Sequence, residues 1–294
     1  LASAGFRPGS TRGTADWGCE RRLAGRGSSR QCFSGDGLRA RVVERRRLLI
    51  DSSRLQSASA RRRFELEDHE VRYLRKVLRL RAGAEVDVVD GCGRLWSACV
   101  VSGSQLELTT EFSRPIQRIP APRPQLGLAI ALIRRGMDDV ARMACELGVD
   151  RLQFIQAERS VAQAEYRPDR WESIVREAVE QCERLWRPEL CALCASSDWW
   201  GGPAVNDLRL IAVTRDRGIP HLQTLLAAKP VDVGRVWLAI GPEGGWTAGE
   251  LEAALDAGWS AVALGDTIQR SSTAAVAGVT SLCHWRLLHG CRDG

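Results

Sequence analysis

Lysine is almost missing from this chain of 294 residues: of its 42 basic residues only Lys76 and Lys229 are lysines. Neither follows a glycine, so there is no phosphate-cradling loop of the form G-x-x-x-x-G-K-[ST], and Schiff-base chemistry would have only those two side chains. Histidine is equally sparse. His69, His221, His284 and His289 make no H-E-x-x-H pair, which excludes a zincin. No G-x-S-x-G elbow occurs, removing the usual sign of an α/β-hydrolase. Gly91 and Gly93 in DGCGRLW lack the third glycine of a dinucleotide fingerprint. No apolar run approaches the ~18 residues that a spanning helix needs. The longest uncharged stretch, 271–285, is rich in Ser, Thr and Ala, so no contact with a membrane is expected.

Cysteine is present but unpaired in pattern. Of ten cysteines only Cys191 and Cys194 form a C-x-x-C, and no second pair completes a four-cysteine zinc site; no metal is expected. A secretory apolar segment is also lacking. The expectation is therefore free thiols in a reducing compartment, with a cytoplasmic location.

Charge is unevenly spread. Residues 1–47 hold 11 Arg against 4 acids, leaving 31 basic and 32 acidic residues for the rest, so the formal net charge of +6 belongs to the N-terminal segment. Any nucleic-acid contact by the body must then come from local patches. Residues 1–45, rich in Gly, Ser and Arg without a sustained period, are expected to be a disordered extension. Their Arg-rich, acid-poor composition offers organellar import as an alternative.

Regular structure is expected from about residue 46. The spacing of Val71, Leu74, Val77 and Leu78 predicts a helix over 68–83, stopped at Gly83. Residues 85–112 alternate as three short strands, with turns at Asp90-Gly91 and Ser102-Gly103. A small β-barrel over 46–118 follows, then a proline-rich linker over 119–125. Beyond it strands and helices alternate. The apolar run 126–133 suits a strand buried on both faces, a helix over 137–147 ends at Gly148, and 151–156 is the next strand. The helix within 167–188 places Trp171, Ile174, Val175 and Ala178 on one face, with Glu172–Arg176 and Glu180–Arg184 expected as ion pairs on a wet face. Strands at 208–213, 235–241 and 260–265, a capping box at Thr247-x-x-Glu250 and a final helix from about Ser272 complete an α/β domain over 126–290 with a mostly parallel sheet.

In such a sheet ligands bind beyond the carboxyl ends of the strands. Two neighbouring candidate strands end in unusual loops: AIGPEGGWTAGE (239–250) and ALGDTIQRSSTAA (263–275). Three glycines within five residues expose backbone groups in the first, and the capping box pins where its helix begins.

These two segments together resemble the paired signature of the RsmE family, the small-subunit (16S) ribosomal RNA uridine-N3 methyltransferases of the SPOUT superfamily. RRRLLID (45–51), VRYLRKVLRLRAGAEVDVVDGCG (71–93), MACELGVDRLQFIQAERSV (143–161) and RWESIVREAVEQCERLWRPEL (170–190) resemble further landmarks of that family in the same order. The resemblance implies a PUA-like RNA-binding barrel, a trefoil-knotted SPOUT methyltransferase domain, a homodimer, and S-adenosyl-L-methionine as cofactor. The implied cofactor positions are Gly241, Pro242, Glu243, Gly244, Gly245, Leu264, Gly265, Ile268, Gln269, Arg270 and Thr273, with 213–218 as a third wall. Arg270 stands at the family's arginine and is the catalytic candidate, placed to stabilise charge developing on the uracil ring.

The chain departs from the family pattern at Thr267, Gln269 and Ser272, where arginine, leucine and glutamate are usual, and at Met143, where lysine is. A neutral serine cannot accept a proton as a carboxylate can, and Glu243 is the carboxylate that remains nearby. Those departures carry an alternative: a catalytically weakened RNA-binding homologue, or a methyltransferase of a different RNA. Candidate contacts to ribosomal RNA or the small subunit are Arg46 and Arg47; Arg72, Arg75, Lys76 and Arg79, spaced as one stripe on the 68–83 helix; Arg134 and Arg135; and Arg159.

Overall fold

The computed structural model describes residues 46–57, 62–77, 79–161, 164–204, 206–216, 218–228 and 233–289. The extension expected over 1–45 lies outside the described residues.

Two sheets organise the chain. The first contains β1 (Arg47–Leu49), β2 (Arg63–Glu65), β3 (Glu85–Val89), β4 (Arg94–Ser102), β5 (Gln105–Leu108) and β6 (Gln117–Arg118), in the order β1-β3-β4-β5-β2 with β6 on β4. All its pairs are antiparallel except β1 with β3. Between these strands run α1 (Ser52–Ser57) and α2 (Asp68–Arg72). The three strands expected within 85–112 are β3, β4 and β5. Alternation sorts their side chains: Val86, Val88, Trp96, Ala98 and Val100 fill the unit's own core, while Leu49, Val89 and Leu95 face the larger core beyond it.

The helix expected over 68–83 is much shorter. After α2, residues Tyr73–Val77 widen into a π-helical turn, Leu80 N–H donates to the Leu74 carbonyl at 3.0 Å, and Arg79 has a left-handed φ of 55°. The wide turn keeps Leu74 in the core while the chain reverses toward β3. Arg72, Arg75, Lys76 and Arg79 therefore do not form one α-helical stripe: Arg79 lies past the helix end, and Arg75 runs over the backbone of Gly103.

The second sheet has six parallel strands in the order β12-β10-β11-β7-β8-β9. They are β7 (Gln125–Ala131), β8 (Arg151–Gln156), β9 (Glu189–Ala195), β10 (Leu208–Ala212), β11 (Arg235–Ile240) and β12 (Ser260–Val262). The helices are α3 (Met137–Leu147), α4 (Pro168–Cys182), α5 (Ser196–Trp199), α6 (Leu222–Ala228), α7 (Ala248–Asp256) and α8 (Ser271–His289). The expected elements of this half all occur, with strand ends shifted by no more than three residues. β9, which holds Cys191 and Cys194, and the short α5 and α6 had no clear sequence signal.

Both faces of the sheet are covered, as its continuous apolar strands require. Leu126, Leu128 and Ile130 of β7 pack with α3, α4 and α8, while Ala129, Trp237, Ala239, Trp200 and Trp259 fill the opposite side. Two glycines make this possible. A Cβ on Gly127 would lie 2.3 Å from the Trp237 ring, and one on Gly278 of α8 would lie 2.3 Å from Leu238.

The face of α4 expected to be wet is not. Glu180 is buried, and its Oε1 accepts the Leu49 N–H at 2.9 Å, while Arg176 donates to the Leu49 carbonyl at 2.7 Å. β1 is an edge strand, and α4 satisfies its outward backbone groups. The expected pairs are thus replaced: Glu172 binds Arg187, and Arg184 donates to the Cys145 and Val149 carbonyls and meets Asp150 at 3.2 Å. Asp150 gathers the Leu126 N–H at 2.8 Å and Arg286 of α8 at 2.5 Å.

Burial pushes the Glu180 carboxyl up to about 7, against the Leu49 N–H and Arg176, with Glu177 and Glu70 adding repulsion. A folded-state value above the unfolded one means stability is fullest at acidic pH and is lost as pH rises from about 4.3 to about 7. The loss should be on the order of 3 kcal/mol once the pH is well above 7. Glu180→Gln keeps an oxygen for Leu49 but cannot ionise. Denaturant unfolding should show that this variant loses less stability than the wild type between mildly acidic and mildly alkaline pH; equal losses would refute the assignment.

Candidate active site at the carboxyl edge of the parallel sheet

All six strands send the segments after them to one edge, and four of these concern the site: residues 132–136 follow β7, 213–221 follow β10, 241–247 follow β11 and 263–270 follow β12. Because all the strands are parallel, their carboxyl ends lie together, and β10 and β11 occupy the middle of this group.

The 241–247 loop is built rigidly. Pro242 is buried, its carbonyl accepts the Gly245 N–H at 2.9 Å, and Gly245 takes a φ of 70° that a side chain would strain. Thr247 caps α7 in the expected box: its Oγ1 accepts the Glu250 N–H at 3.1 Å, and Glu250 Oε2 accepts the Thr247 N–H at 2.8 Å. Glu250 also reaches outside its own helix. Its Oε1 accepts from the Glu158 N–H at 3.0 Å and the Ser196 hydroxyl at 2.8 Å. Burial alone would raise this carboxyl, yet the donors from Thr247, Glu158 and Ser196 outweigh it and hold it below the ordinary range.

Arg159, expected on RNA, is engaged with this loop. It donates to the Gly244 and Trp246 carbonyls at 3.2 and 3.3 Å. A Cβ on Gly244 would come within 3.0 Å of the Arg159 Cβ. The missing side chain of Gly244 thus lets Arg159 approach the loop.

The 263–270 loop is tied to the 213–221 loop. Ala263 N–H donates to the Pro220 carbonyl and Leu222 N–H to the Ala263 carbonyl, each at 2.9 Å, while His221 Nε2 lies 3.5 Å from Asp266. Leu264 packs against the core, Gly265 is exposed beside Gln269, and Ile268 is 63% exposed despite being apolar. Gln269 Oε1 and Trp246 Nε1 are buried with no hydrogen-bond partner among the described residues, a costly state unless a ligand or water completes them. Thr273 is exposed one turn into α8.

A cavity of about 520 Å³ is lined by Ile133, Arg134, Arg135, Gly136, Glu243, Arg270, Ser271 and Ser272. The Arg134 N–H donates to Glu243 Oε1 at 2.8 Å, joining the loops after β7 and β11. Arg270 is exposed, and its carbonyl accepts the Ala274 N–H at 2.8 Å as α8 begins. Among the described residues no carboxylate pairs with Arg134, Arg135 or Arg270. Of the expected site residues, Arg134, Arg135, Glu243 and Arg270 thus meet at one cavity. Gly136, Ser271 and Ser272 join them; Gly136 holds the left-handed φ of 89° that starts α3, with Ser272 packed against it.

The remaining basic candidates, Arg46, Arg47, Arg72, Arg75, Lys76 and Arg79, lie on the first sheet's unit and do not line this cavity. Arg47 is engaged by Glu183, through its carbonyl and, at 3.1 Å, its carboxylate. The one three-group cluster with metal-ligand proximity among the described residues is Glu67, His69 and Glu70. Its Glu70 is consumed by Arg54 at 2.6 and 3.0 Å and by the Glu67 N–H at 2.7 Å, so it serves as the cap of α2.

Residues 120–282 match the family model of an RNA methyltransferase domain, and residues 66–111 match that of an RNA methyltransferase PUA domain. The chain is 34% identical over 212 residues to the ribosomal RNA small subunit methyltransferase E of Synechocystis sp., covering 70% of this chain and 67% of that one. The Mycobacterium bovis protein of the same name is 31% identical over 218 residues, covering 68% and 78%. Among solved structures, a ribosomal RNA small subunit methyltransferase E from Neisseria gonorrhoeae bound to S-adenosyl methionine superposes with a TM-score of 0.69 at 26% identity, covering 84% of this chain and 98% of that one. With both domain models matched in order, the chain belongs to the RNA methyltransferase family of the small-subunit methyltransferases E, a SPOUT-type α/β fold with a PUA domain.

Proposed function

We propose that this protein transfers a methyl group from S-adenosyl-L-methionine to N3 of a uridine in small-subunit (16S) ribosomal RNA. The observation that carries this reading is the cavity where Arg134, Arg135, Glu243 and Arg270 converge beside two glycine-bearing loops. The names of the relatives and the cofactor in the Neisseria gonorrhoeae structure support it.

The residues present fit the cofactor. Backbone groups of Gly241–Gly245 and of 264–270 would hold it, with Trp246 Nε1 and Gln269 Oε1 as the unsatisfied polar atoms and Ile268 as an apolar contact. When bound, it supplies an electrophilic methyl group on a sulfonium. Arg270 would stabilise negative charge developing on the uracil oxygens, and Arg134 and Arg135 would hold the neighbouring phosphates. In this reading the first sheet's unit, residues 46–118, is the PUA-like RNA-binding part, with Arg46, Arg72, Arg75, Lys76 and Arg79 as its basic contacts. The trefoil knot lies among the loops after β10, β11 and β12 within 126–290.

A homodimer is part of the same proposal, supported by the exposed Leu287 and Leu288 at the end of α8, which are 59% and 79% accessible. No helix among the described residues is long and apolar enough to cross a membrane. The bacterial ribosomal RNA methyltransferases that the chain is similar to support a cytoplasmic site of action. The alternative, a weakened RNA-binding homologue, draws on the neutral Ser272 in the cavity wall.

Three outcomes are expected. Ile268→Asp should weaken S-adenosylmethionine binding by at least about tenfold in calorimetry, ~1.4 kcal/mol, without lowering the melting temperature. An unchanged affinity would remove the 264–270 loop from the cofactor site. Arg270→Ala should slow methyl transfer by on the order of a hundredfold while RNA affinity is nearly kept. Transfer at the wild-type rate would end its catalytic assignment; RNA binding by a wild type that never transfers would favour the homologue reading. Replacing Arg134 and Arg135 together by alanine should weaken RNA binding and flatten its salt slope by roughly 1–2 units, as two phosphate contacts predict. Filter binding across a salt series reads this directly, and an unaltered slope would place the phosphates elsewhere.

A further inference from the structure

We propose that the Glu243 carboxylate is the proton acceptor that takes the N3 hydrogen of the uridine. This deepens the methyl-transfer reading and rests on it. N3 of uracil carries a hydrogen, so alkylation needs a place for that proton. The N3–carbon bond forms as the sulfur–carbon bond of the sulfonium breaks. The products are a methylated ring, a neutral thioether and one proton, which passes to an acceptor lining the cavity.

The cavity offers few choices. Arg134, Arg135 and Arg270 are cations, Ser271 and Ser272 are neutral hydroxyls, and Ile133 and Gly136 have no basic side-chain atom. Glu243 is the one carboxylate among the lining residues. The Glu250 carboxylate, also on this edge, is spent on accepting three hydrogen bonds, from the Thr247 and Glu158 N–H groups and the Ser196 hydroxyl. His221 and Asp266 face each other at 3.5 Å across the neighbouring loops and do not line the cavity.

Glu243 is also held as an acceptor needs to be. The Arg134 N–H fixes Oε1 at 2.8 Å, and no hydrogen bond or ion pair among the described residues engages Oε2. The donor is backbone, so the carboxylate is oriented by the chain itself. The residue is exposed and can meet an incoming base. Charge and proton are thereby divided: arginines serve the ring oxygens and Glu243 serves the ring nitrogen.

A purely structural role for Glu243, tying the loops after β7 and β11, can be separated from this one. In Glu243→Gln the amide oxygen can still accept the Arg134 N–H, so the tie survives, but the side chain takes no proton. Single-turnover transfer of a tritiated methyl group to unmodified small ribosomal subunits, followed from mildly acidic to alkaline pH, reads the difference. At neutral pH Glu243→Gln should be slower by on the order of a hundredfold, with cofactor and RNA affinities retained. Its rate should climb by about tenfold per pH unit, as ring ionisation in water replaces the missing acceptor, while the wild type depends far less on pH. His221→Gln should follow the wild-type profile. The proposal is overturned if Glu243→Gln transfers at the wild-type rate, if its deficit is the same at every pH, or if His221→Gln shows the alkaline climb instead. A wild type that transfers no methyl group at any pH would defeat the methyl-transfer reading itself, a failure distinct from these.

Discussion

The geometry of the candidate site depends on one buried carboxylate, Glu250. Its Oε2 closes the cap of α7, and its Oε1 holds the chain after β8 through Glu158 and the start of α5 through Ser196. A buried carboxylate with this many donors is both stabilised in its charged form and demanding of position, since losing any partner leaves charge unsatisfied in the interior. The 241–247 loop is thus a fixed surface. Arg159 reinforces it from the side by binding the Gly244 and Trp246 carbonyls.

A second constraint joins the two sheets. β1 ends its sheet with unpaired backbone groups, and α4 answers with Glu180 for the Leu49 N–H and Arg176 for its carbonyl. Leu49, Val89 and Leu95 meanwhile send apolar side chains into the core of the parallel sheet's unit. Polar satisfaction and apolar burial act at the same place, so the barrel-like unit is continuous with the methyltransferase half. The cost of burying Glu180 is visible in its raised pKa.

Recognition of the site was uneven. Glycine spacing and the Thr247–Glu250 box located the 241–247 loop, because cap and turn chemistry are local properties of a few consecutive residues. Arg270 and Glu243 were legible from the resemblance of their segments. Ser272 was legible as the serine at the family's glutamate position, whereas Gly136 and Ser271 were not, since their place in the cavity comes from loops after strands far apart in the chain. Arg159 and Arg47 looked like free cations in sequence, and only their partners, Gly244, Trp246 and Glu183, show that their charges are used internally.

By itself, the sequence determined most strands and helices of the second half, though not β9, α5 or α6, together with the two glycine loops and the family, because periodicity, capping and motif spacing are written in neighbouring residues. Only the tertiary structure decided which polar residues are wet. Glu180 carries the spacing of a surface ion pair, yet it is buried because an edge strand lies against its helix. Arg72, Arg75, Lys76 and Arg79 carry the spacing of a stripe, yet a π-helical turn disperses them because Leu74 must stay in the core while the chain turns into β3. In both cases a long-range packing demand outweighed a local pattern worth only a few tenths of a kcal/mol per pair.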